Sequence, residues 1–425
     1  MFKQTLLLTL AAGGAFAEVH PLTLRQAVAI ALKENADLVL ARLDDTKAQA
    51  AVRVAKDPFA PKVYAGSGLA KTYGYPSSIE GAAPSIIQAR TDMALFNRPK
   101  SFELAKVREN ARGAAMGVQA KSDEVVYQTA SLFLDAQQMA RSVQSLSLEV
   151  ESLDRVSQAV KLRVDEGREI PLENKRIAAD LARARQRADG LKDDLDYVEA
   201  SLAVVLGYTA GDRVQPVDGD AQSPELPESE QAARELAFQN NREIRRLESQ
   251  MQAKGFELRE YQAARLPVID VVAQYSLFAK SNYQDFFTHF QRNNAELGVS
   301  IQIPVLTGSA PKGLASQAQS EILQLRTQIN QARNRIELDT HKHFQDLQRA
   351  QSAQEVARLD LDYAREQVSV LLALLGEGRT TQQKLDDARL NEQEKWIAFY
   401  DSQHTVEKAR LNLLRETGTL AAALR

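Results

Sequence analysis

The apolar positions of this chain repeat every seven residues over its long middle stretches. Between residues 98 and 164, one such row has six members: Val125, Leu132, Met139, Leu146, Leu153 and Val160. A second row is offset by four, and after a turn that contains Gly167 the pattern resumes in a return helix from Ile177 to Val205. A sustained seven-residue repeat predicts helices that supercoil left-handedly, each with its stripe buried against a neighbour. We therefore expect a helical hairpin whose first arm, at about 1.5 Å per residue, is on the order of 100 Å long.

Four shorter segments alternate apolar and polar residues with a period of two. The strands that they predict lie at residues 62–73, 85–96, 268–280 and 295–306. In the last segment Leu297, Val299 and Ile301 share one face, and the residues between them are small or polar. The first segment contains Gly66 and Gly68, so its pattern is ambiguous. Alternation by itself fits equally well a soluble sheet with one wet face.

These elements occur twice in the same order: a helix, a pair of strands and a hairpin of long helices. Residues 31–35 match 237–241 at an offset of 206 (241 minus 35), and Gly167 matches Gly378 at an offset of 211 (378 minus 167). Such a tandem repeat indicates two copies of one supersecondary unit in a mainly α chain with short β segments. The predicted divisions are a leader at 1–17, a first repeat at 18–206, a linker at 207–228 and a second repeat at 229–425. The predicted helices flanking the strands are 24–56 and 98–164 in the first copy, and 229–265, 311–375 and 381–416 in the second.

The N-terminus has the features of a secretory signal peptide. Lys3 precedes a short apolar run, and Ala15-Phe16-Ala17 fits an A-x-A cleavage site before Glu18. The run is too short to span a bilayer as a helix. The chain contains no cysteine and its formal net charge is −3. We therefore expect an exported protein without disulfides or an N-terminal lipid anchor, destined for the periplasm or the outer membrane, and no binding of nucleic acid.

Three features favour a membrane barrel over a soluble sheet. The chain is expected to be exported, and each strand has about the 10–12 residues that a tilted strand needs to cross a bilayer. The long helices use their apolar residues for the heptad seams, which leaves no spare face to cover a sheet. Because four strands cannot close a barrel and lipid does not tolerate an open sheet edge, the barrel must be shared between subunits. Two chains are the lower bound, and three would give about twelve strands.

Several short motifs occur in a fixed order along the two repeats. They are Leu24-x-x-Ala27-x-x-x-Ala31-x-x-x-Asn35-x-x-Leu38, Pro61 and Pro267 before the strands, Val299-Ser300-Ile301-Gln302-Ile303-Pro304-Val305, Arg163-x-x-x-Gly167, and Gly378-Arg379-Thr380-Thr381. In this order they resemble the TolC-type outer-membrane efflux protein family, the outer membrane factors, over essentially the whole mature length. The resemblance implies a homotrimer with a twelve-stranded barrel in the outer membrane, an α-helical barrel in the periplasm and an equatorial region formed by the shorter helices and the linker. It also implies two partners, a periplasmic adaptor and an inner-membrane pump driven by protons or by ATP.

The resemblance places contacts with the adaptor at the two hairpin turns. The residues concerned are Arg163, Gly167, Arg168, Gly378, Arg379 and Thr381. Leu374 stands in the second turn where the first has Arg163, so the two tips are not expected to be equivalent. For the glycines there is a plainer alternative, because a sharp reversal between helices favours a residue that tolerates positive φ.

The resemblance also implies a ring of carboxylates that narrows the periplasmic end at the start of the last helix. Counted from Gly378 without a gap, Asp387 occupies the matching position and Asp386 is its neighbour. A threefold ring of like charges attracts cations and makes ionisation of its members more costly. The alternative is that both residues are solvated aspartates on an exposed helix face.

A segment between the last two strands, residues 281–294, is unusually aromatic. It contains Tyr283, Phe286, Phe287 and Phe290. These side chains could anchor the outer rim among lipid headgroups, as aromatic girdles do, or pack over the mouth of the barrel. We favour the girdle.

The sequence offers no enzyme chemistry and implies no cofactor. His341 and His343 are two apart on a predicted helix and so point to different faces, unlike metal ligands at i and i+4. His404 falls on a heptad seam, where a packed or pore-side residue is expected rather than a ligand. The favoured function is a passive exit duct for efflux or type I secretion. The alternatives are a periplasmic adaptor or coiled-coil scaffold without a pore and an envelope-spanning tether, and the cargo and the class of pump stay open.

Overall fold

The computed structural model describes residues 18–68, 85–219, 226–278 and 291–424. The chain forms two compact units, and each unit draws on both sequence repeats. Unit 1 comprises Met1–Leu40, Gln119–Asn241 and Arg333–Arg425, and unit 2 comprises Ala41–Val118 and Arg242–Ala332. The predicted leader, residues 1–17, lies outside the described residues.

The described residues are mostly helical. The helices are α1 (Leu24–Glu34), α2 (Ala36–Lys56), α3 (Arg98–Asp165), α4 (Pro171–Val205), α5 (Glu230–Asn240), α6 (Arg242–Gln262), α7 (Ala310–Gly376), α8 (Gln382–Glu416) and α9 (Leu420–Ala423). Short 3₁₀ turns at Asp57–Phe59 and Ala263–Arg265 follow α2 and α6. The long helices α3, α7 and α8 begin and end within one residue of the predicted limits, because Thr381 and the two turn glycines mark ends of these helices in the sequence. No helix of the described residues combines the length and the apolar character that a membrane span requires.

The prediction of one continuous opening helix in each repeat is wrong. The first breaks at Asn35 and the second at Asn241, where the backbone turns extended or nearly so (ψ 127° and 118°). At Asn35 the side-chain oxygen accepts from the backbone N–H of Leu38 (3.2 Å), and Nδ2 donates to the carbonyl oxygen of Val205 (2.8 Å). The asparagine therefore ends α1 and caps α2 at the same time, as residues of this type often do at helix N-termini.

The heptad rows form the core of unit 1. Leu146, Leu153 and Val160 on α3 are buried, whereas Leu132 and Met139 of the same predicted row are half-buried. Leu153 packs with Leu181 and Ala184 of α4. A second cluster joins α5, α7 and α8, and it contains Ala233, Leu347, Ala350, Val406, Ala409 and Leu413. The many alanines allow close helix packing and leave a thin core, as expected from the sequence.

Unit 2 contains an antiparallel sheet of four strands in the order β2-β3-β5-β6. The strands are β2 (Lys62–Gly68), β3 (Ser85–Phe96), β5 (Val268–Phe278) and β6 (Asn293–Gln302). The predicted extensions 69–73 and 279–280 lie outside the described residues. The predicted end of the last strand at 306 is wrong, because β6 ends at Gln302, two residues before Pro304, which has no N–H to donate to a ladder.

The sequence reasoning missed a small parallel sheet in unit 1. Its strands are β1 (Val19–Leu22) and β4 (Arg213–Pro216), paired from Val19 opposite Arg213 to Leu22 opposite Pro216. The ring of His20 stacks on that of Tyr208 at 4.3 Å between centroids. Strands of four residues are too short to show a period, and their pairing joins segments almost two hundred residues apart.

Candidate functional site

One face of the four-stranded sheet is almost entirely apolar and lies exposed. Opposed residues follow one another across the strands at the same level: Val63, Thr91, Ala273 and Leu297. Other members of this face are Ala65, Ile87, Ala89, Met93, Ile269, Val271, Tyr275, Leu277, Ala295, Val299 and Ile301. Val63 is 72% exposed, Leu297 81% and Ile301 62%. Single exposed apolar residues are common, but a contiguous apolar surface of this kind marks contact with a protein or a membrane.

The opposite face of the same sheet is polar. It brings together Gln88 and Ser276, Arg90 and Gln274, Gln274 and Glu296, and Asp270 and Ser300 as directly opposed pairs. Arg90 also forms an ion pair with Asp92 at 3.7 Å, and Gln274 donates to the hydroxyl of Ser276 at 3.1 Å. Because a slip of one residue would exchange the faces, the apolar and polar patterns together fix the register. The sequence prediction of two contrasting faces is confirmed for β3, β5 and β6, and Val63 and Ala65 of β2, whose pattern was ambiguous, continue the apolar face.

The two edges of the sheet have no partner strand within the described residues. β2 pairs only with β3, and β6 pairs only with β5. An open edge presents unpaired N–H and C=O groups, which makes it a template for another strand. The apolar edge strand β6 carries no proline between Asn293 and Gln302 to block such pairing.

The two hairpin turns have the same backbone. Gly167 and Gly378 adopt positive φ, 72° and 70°. The amide of Arg168 donates to the carbonyl of Arg163 (2.8 Å), and that of Arg379 donates to the carbonyl of Leu374 (2.9 Å). This pair of bonds is the usual way in which a glycine ends a helix in the left-handed conformation. It also shows that Leu374 stands where the first turn has Arg163, as the sequence alignment of the turns predicts.

Only the side chains distinguish the turns. Arg168 and Arg379 are exposed, each beside a glutamate of its own turn, Glu166 and Glu377, at 3.2 Å. α8 begins with a side-chain cap, in which the Thr381 hydroxyl accepts from the amide of Lys384 at 3.4 Å, whereas α4 begins at Pro171 without one. Both turns are therefore rigid scaffolds that present guanidinium groups to solvent.

No family model matches the chain. The outer membrane efflux protein BepC of Brucella suis is 23% identical to it over 417 residues, which cover 94% of this chain and 86% of BepC. The solved structure of CusC, described with transmembrane channel formation, has a TM-score of 0.75 at 16% identity and covers 93% of this chain and 92% of its own. The outer membrane protein VceC of Vibrio cholerae has a TM-score of 0.76 at 13% identity, with 93% and 96% covered.

The chain has the fold of the outer membrane channel proteins CusC and VceC. The fold extends over nearly the whole chain, since the open-state outer membrane channel MtrE of Neisseria gonorrhoeae also matches 93% of it, with a TM-score of 0.71 at 14% identity and 89% of MtrE covered. The predicted resemblance is thereby confirmed.

The structure places the two candidate gate aspartates in different settings. Asp387 is exposed, whereas Asp386 is half-buried and accepts from Nε2 of Gln382 at 2.9 Å. Their neighbours Leu385 and Ala388 are buried. Since α4 and α8 begin 211 residues apart (382 minus 171), Asp387 corresponds to Arg176 in the first repeat, which contacts Glu173 at 3.4 Å.

The remaining predicted site residues are the aromatic ones. Tyr283, Phe286, Phe287 and Phe290 lie outside the described residues. In the part of the chain that the structure describes, no three histidine, aspartate or glutamate side chains come together as a metal-binding group.

Sequence reasoning missed a charged cluster between α3 and α8. Asp135 contacts Nε2 of His404 and Nζ of Lys408, both at 2.8 Å, and Lys408 also donates to the hydroxyl of Ser131 at 2.6 Å. Burial alone would raise the pKa of Asp135, but the hydrogen bonds from His404 and Lys408 outweigh it and lower the pKa. His404 is thus a half-buried residue of the helix seam that contacts Asp135.

Proposed function

We propose that three copies of this chain form a passive exit duct through the outer membrane for a tripartite efflux or type I secretion system. The observation that carries the proposal is the four-stranded sheet with an exposed apolar face, a polar face and two open edges. In lipid, every backbone polar group must be paired, so such edges require strands from other copies. Four strands from each of three chains give twelve, an even number within the range of outer-membrane barrels.

The polarity of each face of the sheet indicates whether it contacts lipid or the water of the lumen. The apolar face around Leu297 and Ile301 suits lipid, and the polar face around Arg90, Gln274 and Glu296 suits a water-filled lumen. A duct of this kind makes few specific contacts with its cargo. It performs no chemistry in this proposal, so the energy for transport comes from an inner-membrane pump.

The hairpin turns are proposed as the contacts with the periplasmic adaptor. Gly167 and Gly378 fix the backbone of each turn, and Arg168 and Arg379 are the exposed charges that it presents. The two turns differ at two equivalent positions. Leu374 of the second turn replaces Arg163 of the first, and Thr381 of the second replaces Ile170 of the first. The adaptor is therefore expected to contact the two turns differently.

Disulfide cross-linking tests the shared barrel. Because the chain has no native cysteine, every disulfide that forms joins introduced residues. Val63→Cys on β2 is combined in turn with a cysteine at Ala295, Leu297, Val299 or Ile301, which all belong to the same face of β6. We expect at least one combination to give linked dimers and trimers in outer-membrane fractions after mild oxidation, since paired strands bring Cβ atoms within disulfide reach.

The matched control joins Met93→Cys and Val271→Cys, which oppose each other on β3 and β5 of the same chain. This pair should close within one chain and run as a monomer. If the control forms while no β2–β6 combination links two chains, the shared barrel is refuted. A soluble periplasmic monomer would instead favour the adaptor or scaffold without a pore.

A further inference from the structure

The backbone nitrogen of Glu18 lies against a carboxylate that is already held in place. Glu18 N donates to Oδ1 of Asp212 at 3.2 Å. The other carboxylate oxygen, Oδ2, accepts from both the backbone amide (3.0 Å) and the hydroxyl (2.8 Å) of Thr209. Thr209 therefore orients the Asp212 carboxylate and leaves Oδ1 directed at Glu18.

This contact begins the small parallel sheet. The carbonyl of Glu18 accepts from the amide of Arg213 at 2.9 Å, and Val19 is the first residue of β1. The guanidinium of Arg213 is bound by Asp196, so it does not occupy the Asp212 carboxylate. His20, stacked on Tyr208, is a further titratable side chain near Asp212. Hydrogen bonds from Thr209, and then from the Glu18 amide, lower the pKa of Asp212, so the carboxylate is charged at neutral pH.

The sequence places a signal-peptidase motif, Ala15-Phe16-Ala17, directly before this nitrogen. We propose that Asp212 is the acceptor for a free α-amino group at Glu18, formed by cleavage between Ala17 and Glu18. In the cleavage, water adds across the peptide bond, the leader departs with a carboxylate on Ala17, and Glu18 keeps the amine. The amine takes up a proton because its ordinary pKa is about 7.7–8.0.

Cleavage therefore changes the contact from an amide–carboxylate hydrogen bond to an ion pair. Hydrogen bonds between two charged groups are stronger than those with a neutral donor. A chain end is ordinarily frayed unless it is tied down. The Asp212 carboxylate therefore ties the new terminus to the beginning of β4.

The test uses the full-length protein purified from outer membranes in detergent. Intact mass should place the N-terminus at Glu18. At pH 7 the α-amine should react with an amine-acylating reagent roughly two- to five-fold faster in Asp212→Asn than in the parent, since an exposed ion pair holds the proton only moderately. Asp218→Asn, which removes an exposed carboxylate from the same segment, should leave the rate unchanged.

A second variant keeps the test independent of folding defects. Insertion of two alanines between Ala17 and Glu18 moves the free amine away from Asp212, so that Asp212→Asn should no longer alter its acylation rate. A different N-terminus, equal rates in the parent and Asp212→Asn, or an effect of Asp212→Asn that persists with the insertion would each overturn the proposal. None of these outcomes bears on whether the chain forms a duct.

Discussion

At the scale of single residues, the Asp135 cluster is expected to stabilise the seam between α3 and α8. Replacement of Asp135 by asparagine leaves Lys408 and His404 half-buried without their anion. We expect a loss of about 1–3 kcal/mol, less than for a fully buried pair. Asp154→Asn is the matched control, because its exposed pair with Arg185 should be worth under about 1 kcal/mol. Thermal unfolding of the purified protein measures both.

The pH dependence of this effect follows from the lowered pKa of Asp135. A carboxyl whose pKa is lower in the folded than in the unfolded protein stabilises the fold above its unfolded value, 3.8, and that contribution is lost as the pH falls through the folded value. The difference between the parent and Asp135→Asn should therefore be full at pH 6 and shrink below about pH 4. A difference that stays constant down to pH 3 would show that the Asp135 charge is not the cause.

Individual residues also show where sequence reasoning stopped. The positive φ of Gly167 and Gly378 could be predicted, because a helix reversal imposes it locally. The contact of Asp135 with His404 could not, because it joins positions 269 residues apart and both residue types are ordinary on a solvated helix face. A heptad pattern identifies the seam but not the polar pairs within it.

At the scale of elements, the turn glycines allow a prediction with a built-in control. Gly167→Ala should destabilise its hairpin turn by about 1–2 kcal/mol, because an L-residue resists positive φ although no atom obstructs its Cβ. Gly190→Ala, in the interior of α4 with equally open surroundings, should stabilise the helix by about 0.5–1 kcal/mol. Hydrogen exchange of the turn amides measures the first effect and thermal unfolding the second. A neutral or stabilising effect of Gly167→Ala would mean that the turn does not require positive φ.

The elements were predictable where a local signal marks their ends. Glycine and a capping threonine mark ends of the long helices, and the limits predicted for α3, α7 and α8 were correct to one residue. The breaks at Asn35 and Asn241 were missed because the apolar period continues through them. At Asn35 the side chain both caps the amide of Leu38 and donates to the carbonyl of Val205, and the second of these bonds joins distant segments and has no signature in the sequence. The small β1–β4 sheet was missed for the same reason.

At the scale of the whole chain, the duplication extends to individual contacts. Gly207 has φ 91° and leaves room for Glu34, to whose carbonyl an added Cβ would come within 3.0 Å. Gly418, 211 residues later (418 minus 207), has φ 69° and leaves room in the same way for Asn240. Glu34 and Asn240 are themselves 206 apart (240 minus 34), so both offsets found in the sequence recur in the packing. The two repeats therefore share this close contact between a glycine and a preceding helix, even where their side chains differ.

A charge difference between the repeats can influence permeating ions only once several copies surround a common channel. Asp387 in the second repeat corresponds to Arg176 in the first, and Asp387 is an exposed side chain. If three copies surround one axis as proposed, each position becomes a ring of three like charges. A ring of Asp387 carboxylates on the lumen side would attract cations and repel anions.

Replacement of Asp387 by alanine should therefore lower the preference of the reconstituted channel for cations over anions. We expect a change of roughly two- to five-fold, because three charges several ångströms from a permeating ion in water contribute about 1 kcal/mol together. Single-channel reversal potentials in a salt gradient measure the ratio, and single-channel conductance should change with it. Arg176→Ala is the matched control: if Arg176 faces away from the lumen it leaves the ratio unchanged, and if it faces the lumen it raises the preference for cations. An Asp387→Ala channel with unaltered conductance and selectivity would show that Asp387 is a solvated surface residue, and that the constriction, if there is one, lies elsewhere along α8.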